Sequence, residues 1–288
     1  MKKSAVVLVV ALAAGSSFAA DISQVNGFRL EGRNFGDFNN ISTVNYGPAA
    51  GPLSAAPPIG FTAFQGPVAA GMRISEGFPA GQGGGSNHVA YLTDDSGASR
   101  FGLHGGGEGA SNAGQSFNIT TTILMQGGQM APRKEGGLRI FNPRPVLGFV
   151  DAGLVLVASD GEVAVFGAAM PFHGFGPNVY TYGTTATISF DYFAPGTADP
   201  VNGAYRLRFT DAVNGLFDTG MKFWGAPEAD NIKGFNNGTE IGLQFQGFNN
   251  LVLPDALDIT YGGVTVIPAP SALALLGLGG LVATRRRR

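Results

Sequence analysis

The stretch Ser116-Phe117-Asn118-Ile119-Thr120-Thr121-Thr122-Ile123-Leu124-Met125 alternates between two kinds of side chain. Four apolar residues and a threonine share one parity: Phe117, Ile119, Thr121, Ile123 and Met125. Because successive side chains of a strand point to opposite faces of its sheet, this pattern predicts a β-strand with one buried face.

The same alternation recurs along the chain and indicates an all-β protein. Residues 185–193 and 204–209 both alternate, and the glycine- and proline-rich turn between them predicts an antiparallel pair with Asp191 opposite Arg206 and Arg208. About ten to thirteen short strands at this spacing predict a two-sheet antiparallel jelly-roll sandwich, with a galactose-binding-like jelly roll as the alternative.

Three further segments give local predictions. The apolar run 146–158 predicts two strands, or one strand bent at its glycines. Ser159-Asp160-Gly161 predicts a hairpin with a type I′ turn. The last strand of the body is predicted at 264–266, and Trp224 is expected to pack in the core.

Composition excludes several classes of protein. The chain has 288 residues and no cysteine, so neither disulfides nor thiolate metal sites are available. Removal of the two ends leaves twelve positive charges against twenty negative ones, a net charge of −8. An acidic body of this kind argues against nucleic acid as a partner.

The N-terminus has the pattern of a secretory signal peptide. Lys2 and Lys3 precede an apolar run from Ala5 to Ala14, and the small-residue site Ser17-Phe18-Ala19 follows. Cleavage after Ala19 or Ala20 is expected, which assigns residues 1–20 to the signal and residues 21–266 to the body.

The C-terminus, residues 267–288, combines a short proline motif, an apolar segment and four arginines. Pro268-Ala269-Pro270 is expected to be extended and to end the body. Residues 272–283 carry no charge but span only about 18 Å as a helix, which is marginal for a permanent membrane anchor. The block Arg285, Arg286, Arg287 and Arg288 would hold the chain end on the cytoplasmic side.

These residues resemble a PEP-CTERM sorting signal, with Ala269 in place of the central Glu of that motif. The resemblance covers the tail alone. It implies an exported protein of a Gram-negative-type bacterium, held at the inner membrane and then released to the cell surface or extracellular matrix. The processing partner implied is an exosortase, a membrane protease.

Part of the body is similar to the concanavalin A-like lectin and glucanase sandwiches. The segments involved lie between Gly136 and Phe193, among them 160–167 and 188–192. The similarity implies a two-sheet sandwich. For a hydrolase of this kind it also implies a Glu-x-Asp-x-Glu or Glu-x-Asp-x-x-Glu pattern, which this sequence lacks.

No catalytic residue is predicted. Asp160 and Glu162 have suitable spacing for a carboxylate pair but flank a hairpin glycine. The three histidines, His88, His104 and His173, have no metal-ligand spacing, and no Gly-x-Ser-x-Gly elbow occurs.

Two kinds of binding site are left open by the sequence. A structural calcium would draw its ligands from acidic and amide side chains in turns: Asp94, Asp95, Asp199, Asn202, Asp255 and Asp258. The string Gly-Phe-Asn-Asn, at 234–237 and 247–250 with a relative at 38–40, suggests either an aromatic and amide shelf for a sugar or simple turns.

The favoured hypothesis is therefore a non-enzymatic, exported envelope or matrix protein, with polysaccharide as a further candidate partner. Two alternatives are a glycoside hydrolase or lyase on the same sandwich and a permanently membrane-anchored surface protein.

Overall fold

The computed structural model describes the greater part of the predicted body. The residues described are 27–32, 44–46, 59–63, 71–78, 85–93, 116–144, 148–167, 170–225, 234–235, 239–248 and 252–268. The signal peptide, the membrane segment 272–283 and the arginine block lie outside this part, as do Asp94, Asp95 and His104.

The described residues form seventeen strands and no helix. The first nine strands are β1 (Gly27–Gly32), β2 (Val44–Tyr46), β3 (Ile59–Ala63), β4 (Met72–Phe78), β5 (Gly85–Thr93), β6 (Phe117–Gln126), β7 (Lys134–Arg144), β8 (Gly148–Ala158) and β9 (Val163–Phe166). The remaining eight are β10 (His173–Gly174), β11 (Thr185–Phe193), β12 (Ala204–Asp211), β13 (Gly215–Asp218), β14 (Lys222–Phe223), β15 (Glu240–Phe248), β16 (Asp255–Tyr261) and β17 (Thr265–Pro268). In this part of the chain nothing helical is long and apolar enough to span a membrane.

The strands form two antiparallel sheets, and the predicted jelly-roll sandwich is confirmed. Sheet A has the order β10-β9-β8-β7-β15-β5-β1-β2, and sheet B has the order β13-β12-β11-β6-β16-β4-β3. Strands β4 to β7 alternate between the sheets; β15 then inserts between β5 and β7, and β16 between β4 and β6. Strands distant in sequence thus become neighbours in both sheets.

The core lies between the sheets, where the sequence alternation places it. Strand β6 alternates buried and half-buried residues along its whole length, which confirms the predicted parity. Trp224 is buried as expected, and its ring meets the Phe235 ring edge-on at 5.5 Å between centroids. The Phe235 ring also stacks on Tyr192 at 4.4 Å.

The antiparallel pair β11–β12 is confirmed in register. Asp191 lies opposite Arg206, and the ion pair forms diagonally, between Asp191 Oδ2 and Arg208 Nη2 at 2.9 Å. Arg206 instead pairs with Asp218 on the far side of β12.

The β8–β9 hairpin is present, but the type I′ prediction is wrong. A type I′ turn needs positive φ at two central residues, whereas only Gly161 has it, at 93°. The three-residue loop 159–161 closes through Gly161 N to Ala158 O (3.0 Å) and Ala158 N to Glu162 O (2.9 Å). Such a loop needs positive φ only at its last residue, which glycine supplies.

The structure defines two segments, β8 and the last strand, more closely than the sequence did. Residues 148–158 of the predicted run form one strand, β8. Ile140 of β7 pairs with Gly153 and Phe141 with Asp151, so Ala152 is an extra residue in β8, next to Gly153. Strand β17 pairs with β6 as far as Pro268, so the sheet continues two residues past the predicted body boundary at 266.

Candidate functional site

The outer face of sheet A carries polar side chains at its centre, on three adjacent strands. Strand pairing places Gln246 between Asn87 and Glu135, and Gln244 between Val89 and Gly137. Arg139 follows Gly137 by two residues in β7. The opposite parity of these strands faces the core. These side chains therefore lie on the second face of the sheet, which an antiparallel strand can leave polar.

Four of these residues form what we call the amide–arginine network: Asn87, Arg139, Gln244 and Gln246. Gln244 is its centre. Its Nε2 donates to Asn87 Oδ1 at 2.7 Å and to Gln246 Oε1 at 3.0 Å, while its Oε1 accepts from Arg139 Nη1 at 3.2 Å. Asn87 and Gln244 are buried, and Arg139 and Gln246 are half-buried.

Aromatic rings border the network. The Tyr91 and Phe141 rings meet edge-on with centroids 5.6 Å apart, and the guanidinium of Arg139 lies 5.3 Å from the Phe141 ring centroid. With Val89 these two rings form a small buried cluster that is separate from the main core. The network therefore lies next to a buried apolar cluster, and its amides and guanidinium are the directional polar groups that this face offers.

The backbone under the network is held from the other sheet. The hydroxyl of Tyr261 accepts a hydrogen bond from Gly137 N and lies within bonding distance of the carbonyl of Gln244. A Cβ on Gly136 would come within 2.9 Å of that hydroxyl, and Gly137 has φ at 123°, where a side chain is strained. The glycine pair therefore lets the tyrosine reach the backbone of sheet A.

The candidate carboxylate pair has a different role. Asp160 and Glu162 both contact the guanidinium of Arg133, at 3.1 and 2.8 Å, and Glu135 contacts it at 2.8 Å. Burial raises the pKa of Glu135, and the charge of Arg133 opposes that rise. The arginine joins the β8–β9 hairpin to the start of β7.

The two described histidines are not brought together. His88 is buried in the middle of sheet A, on the core-facing parity of β5. His173 lies on the edge strand β10, with its ring 4.8 Å from that of Phe175. Burial and the charge of Lys222 lower the pKa of His173.

Three of the four described calcium candidates are engaged in structural contacts, whereas the side-chain oxygen of Asn202 is buried and has no hydrogen-bond partner in the described part of the chain. Asp255 pairs with Lys134 and Asp258 with Arg73, while Asp199 Oδ1 accepts from the backbone N–H groups of Val201 and Asn202. Among the described side chains, no three acids or histidines are placed to hold a metal ion.

At the first Gly-Phe-Asn-Asn string, the aromatic ring that a sugar shelf would need is buried. Phe235 packs in the main core, and its backbone N–H donates to the Tyr192 hydroxyl at 3.0 Å. The asparagines of both strings lie outside the described residues. The amide–arginine network was not predicted; the only signal for it in the sequence is the pair of glutamines at alternating positions, Gln244 and Gln246.

Comparison with known proteins gives likeness in fold. No family model matches the chain, and no curated protein matches it. Lectin II from Ulex europaeus is 9% identical over 75% of this chain and 95% of its own, with a TM-score of 0.40. A family 7 alginate lyase in complex with substrate is 9% identical over 86% and 95% (TM-score 0.42), and an alginate lyase from a Chlorella virus is 10% identical over 73% and 89% (TM-score 0.38). Similarity at this level transfers no functional residue.

Proposed function

We propose that this chain is a non-enzymatic exported protein whose sandwich binds polysaccharide at the amide–arginine network. The observation that supports binding is the row of side chains Asn87, Gln244 and Gln246, with Arg139 beside it. Gln244 uses the oxygens of both neighbouring amides as acceptors. Of these two amides Asn87 is buried and Gln246 is half-buried, so the NH2 group of Gln246 is the one positioned to donate to a ligand hydroxyl oxygen.

The ligand class follows from chemistry and charge. Amides pair with hydroxyl groups as both donors and acceptors, so the network suits a polyhydroxyl ligand such as a sugar. A body with a net charge of −8 repels a polyanion, so we propose a neutral polysaccharide.

A binding role is favoured over hydrolysis because of how the described acids are used. Glycoside hydrolysis needs two carboxyl groups that flank the scissile bond. Asp160 and Glu162, the pair with suitable spacing, share the guanidinium of Arg133 and belong to a hairpin.

The two ends of the chain supply the proposed destination. The signal peptide directs export, and residues 267–288 act as a PEP-CTERM-like sorting tail that an exosortase removes. Residues 272–283 hold the intermediate in the inner membrane. The released sandwich then belongs to the cell surface or extracellular matrix.

Binding is tested with the full chain on an array of neutral and acidic glycans. Gln246→Ala is expected to reduce retention on a neutral polysaccharide, because it removes one amide of the network. Gln126→Ala is the matched control, since Gln126 is a half-buried glutamine in a strand of the other sheet. Equal retention of the two variants, or retention on acidic glycans alone, would reject the assignment of the site.

Processing is tested by mass spectrometry of the protein recovered from the producing cells. The proposal expects a C-terminus upstream of Arg285. An intact four-arginine end would instead identify a permanently anchored protein.

A further inference from the structure

We infer that, before the tail is processed, the end of the sandwich formed by residues 194–203 and strand β14 rests on the membrane in which the tail is inserted. The inference depends on the proposed role of the tail. It adds the orientation of the body and the surface that meets the lipid.

Strand register places the exit of the tail at this end. One row of paired residues crosses sheet B, from Pro268 through Phe117, Tyr192 and Tyr205 to Lys222. Because β17 runs antiparallel to β6, the chain leaves Pro268 in the direction of Ser116. The next row along contains Phe193, Ala204 and Phe223, and the 194–203 loop lies beyond it.

The chain between the sheet and the apolar segment is short. From Pro268 to Ala272 there are four residue steps, which span at most about 14 Å when fully extended. Strand β17 cannot extend this connection unless it leaves the sheet, because it is paired with β6 as far as Pro268 and Val266 packs against the core. The body is therefore held close to the bilayer, with its β17 exit towards the lipid.

The side chains at this end suit a membrane interface. Val201 is 58% exposed and Phe223 is 43% exposed, and the half-buried Lys222 precedes Phe223 in β14. Apolar side chains combined with a lysine are typical of residues that meet a bilayer surface. Apolar residues are also exposed at the opposite end, so the exit of the tail, rather than exposure, selects this one.

The loop that would meet the lipid is held in shape by hydrogen bonds. Asp199 Oδ1 accepts from Val201 N at 2.9 Å and from Asn202 N at 2.7 Å, and Ser116 Oγ binds Thr197 Oγ1 at 3.0 Å. Val201 is thus presented outwards by a fixed turn, and lipid contact requires no refolding of the loop.

A matched pair of labels tests the orientation. Val201 and Val213 are exposed valines just before and just after β12, and the two ends of that strand are about 23 Å apart. The chain has no cysteine, so Val201→Cys and Val213→Cys each give a single attachment site for an environment-sensitive fluorophore. Each full chain is reconstituted with vesicles of phosphatidylethanolamine and phosphatidylglycerol that carry nitroxide-labelled lipid.

We expect both chains to float with the vesicles, with a blue shift and quenching by lipid nitroxide at position 201 and an aqueous, unquenched spectrum at position 213. Flotation with equal quenching at both positions, or with stronger quenching at 213, would overturn the orientation and leave the tail's role intact. Failure of both chains to float would overturn the membrane-inserted tail and the contact surface together.

Discussion

The hydroxyl of Tyr261, from sheet B, reaches across the core to the backbone of Gln244 in sheet A. It also accepts a hydrogen bond from Gly137 N, so one side chain fixes β15 and β7 at the level of the amide–arginine network. Burial raises the pKa of Tyr261, so its phenol stays protonated and remains a donor. The position of Gln244 thus depends on a residue that has no part in the outer face.

Loss of that hydroxyl should weaken the fold. Tyr261→Phe leaves the buried N–H of Gly137 without its partner, and we expect a loss of about 1–3 kcal/mol in the free energy of unfolding. Urea unfolding followed by fluorescence measures it. Tyr205→Phe serves as the comparison, because its hydroxyl donates to a single carbonyl, that of Pro171 at 2.6 Å. A larger loss for Tyr205→Phe would contradict the bridging role of Tyr261.

Much of the sandwich could be predicted because alternation is a local property. Strand β11 was predicted with its observed bounds, and β6 within one residue at each end, since apolar and polar residues alternate there without interruption. The shortest strands were missed. Strands β10 and β14 contain two residues each, too few for any period, and they exist because longer strands present an edge to them.

The candidate site could not be predicted because it depends on register between distant segments. Asn87 and Gln244 are 157 positions apart, and only the insertion of β15 between β5 and β7 brings their side chains within 2.7 Å. A slip of one residue in β15 would turn Gln244 to the core. The turn type of the β8–β9 hairpin was predicted wrongly because Asp-Gly is compatible both with a two-residue type I′ turn and with the three-residue loop that forms.

The buried ion pair Lys134–Asp255 should be costly to break. Both side chains are almost fully buried, with Nζ to Oδ2 at 3.0 Å, and they join β7 of one sheet to β16 of the other. Lys134→Met leaves a buried carboxylate without its cation, and we expect a loss of about 3–5 kcal/mol in the free energy of unfolding. The double variant Lys134→Met/Asp255→Asn removes the charge as well and should recover most of the stability in the same urea experiment.

A surface pair provides the contrast. Arg206 and Asp218 bond through two guanidinium nitrogens, and the arginine hydrogen bond lowers the pKa of Asp218 to about 2. Because water screens this partly exposed pair, Arg206→Met should lower the free energy of unfolding much less than Lys134→Met does. Equal losses for Lys134→Met and Arg206→Met would contradict the effect of burial.

Asp211 should make stability depend on acid pH. Its carboxylate accepts from the backbone N–H groups of Thr181, Val213 and Asn214 and from the hydroxyls of Thr181 and Thr184. Burial alone would raise the pKa of Asp211, but these hydrogen bonds outweigh it and lower the pKa. Because the folded pKa is depressed, the stabilisation is present above the ordinary value of 3.8 and is lost as pH falls through the lowered value.

Asp211→Asn is the test of that dependence. The amide cannot accept at both positions, and we expect a loss of about 1.5–3 kcal/mol at pH 7. At a second pH, well below 3.8, the difference in free energy of unfolding between variant and wild type should narrow, because protonation removes the advantage of the carboxylate over the amide. Unfolding curves at the two pH values measure both quantities, and a gap that stays constant would show that ionisation of Asp211 contributes nothing.

Alkaline titration should reveal two tyrosines held at one end of the sandwich. Burial raises the pKa of Tyr180 and of Tyr182 to about 12, and the charges of Asp255 and Asp258 add to the rise at Tyr182. The hydroxyl of Tyr180 accepts from Met125 N at 2.8 Å and donates to the carbonyl of Thr184 at 2.9 Å. Because the folded pKa is raised, the stabilisation is complete below pH 10 and is lost as pH rises towards 12.

Phenolate absorbance distinguishes the two residues. The phenolate absorbance of the wild type is titrated with pH, and that of Tyr180→Phe or of Tyr182→Phe is subtracted from it. Each difference curve should show one ionisation near pH 12 in the folded protein. In concentrated urea the same difference should move to about pH 10, the ordinary value for tyrosine. The double variant Lys134→Met/Asp255→Asn removes the charge of Asp255. It should lower the pKa of Tyr182 more than the pKa of Tyr180, because only Tyr182 owes part of its raised pKa to Asp255. An equal shift in the two would mean that the charge of Asp255 does not reach Tyr182 and that burial alone sets its pKa.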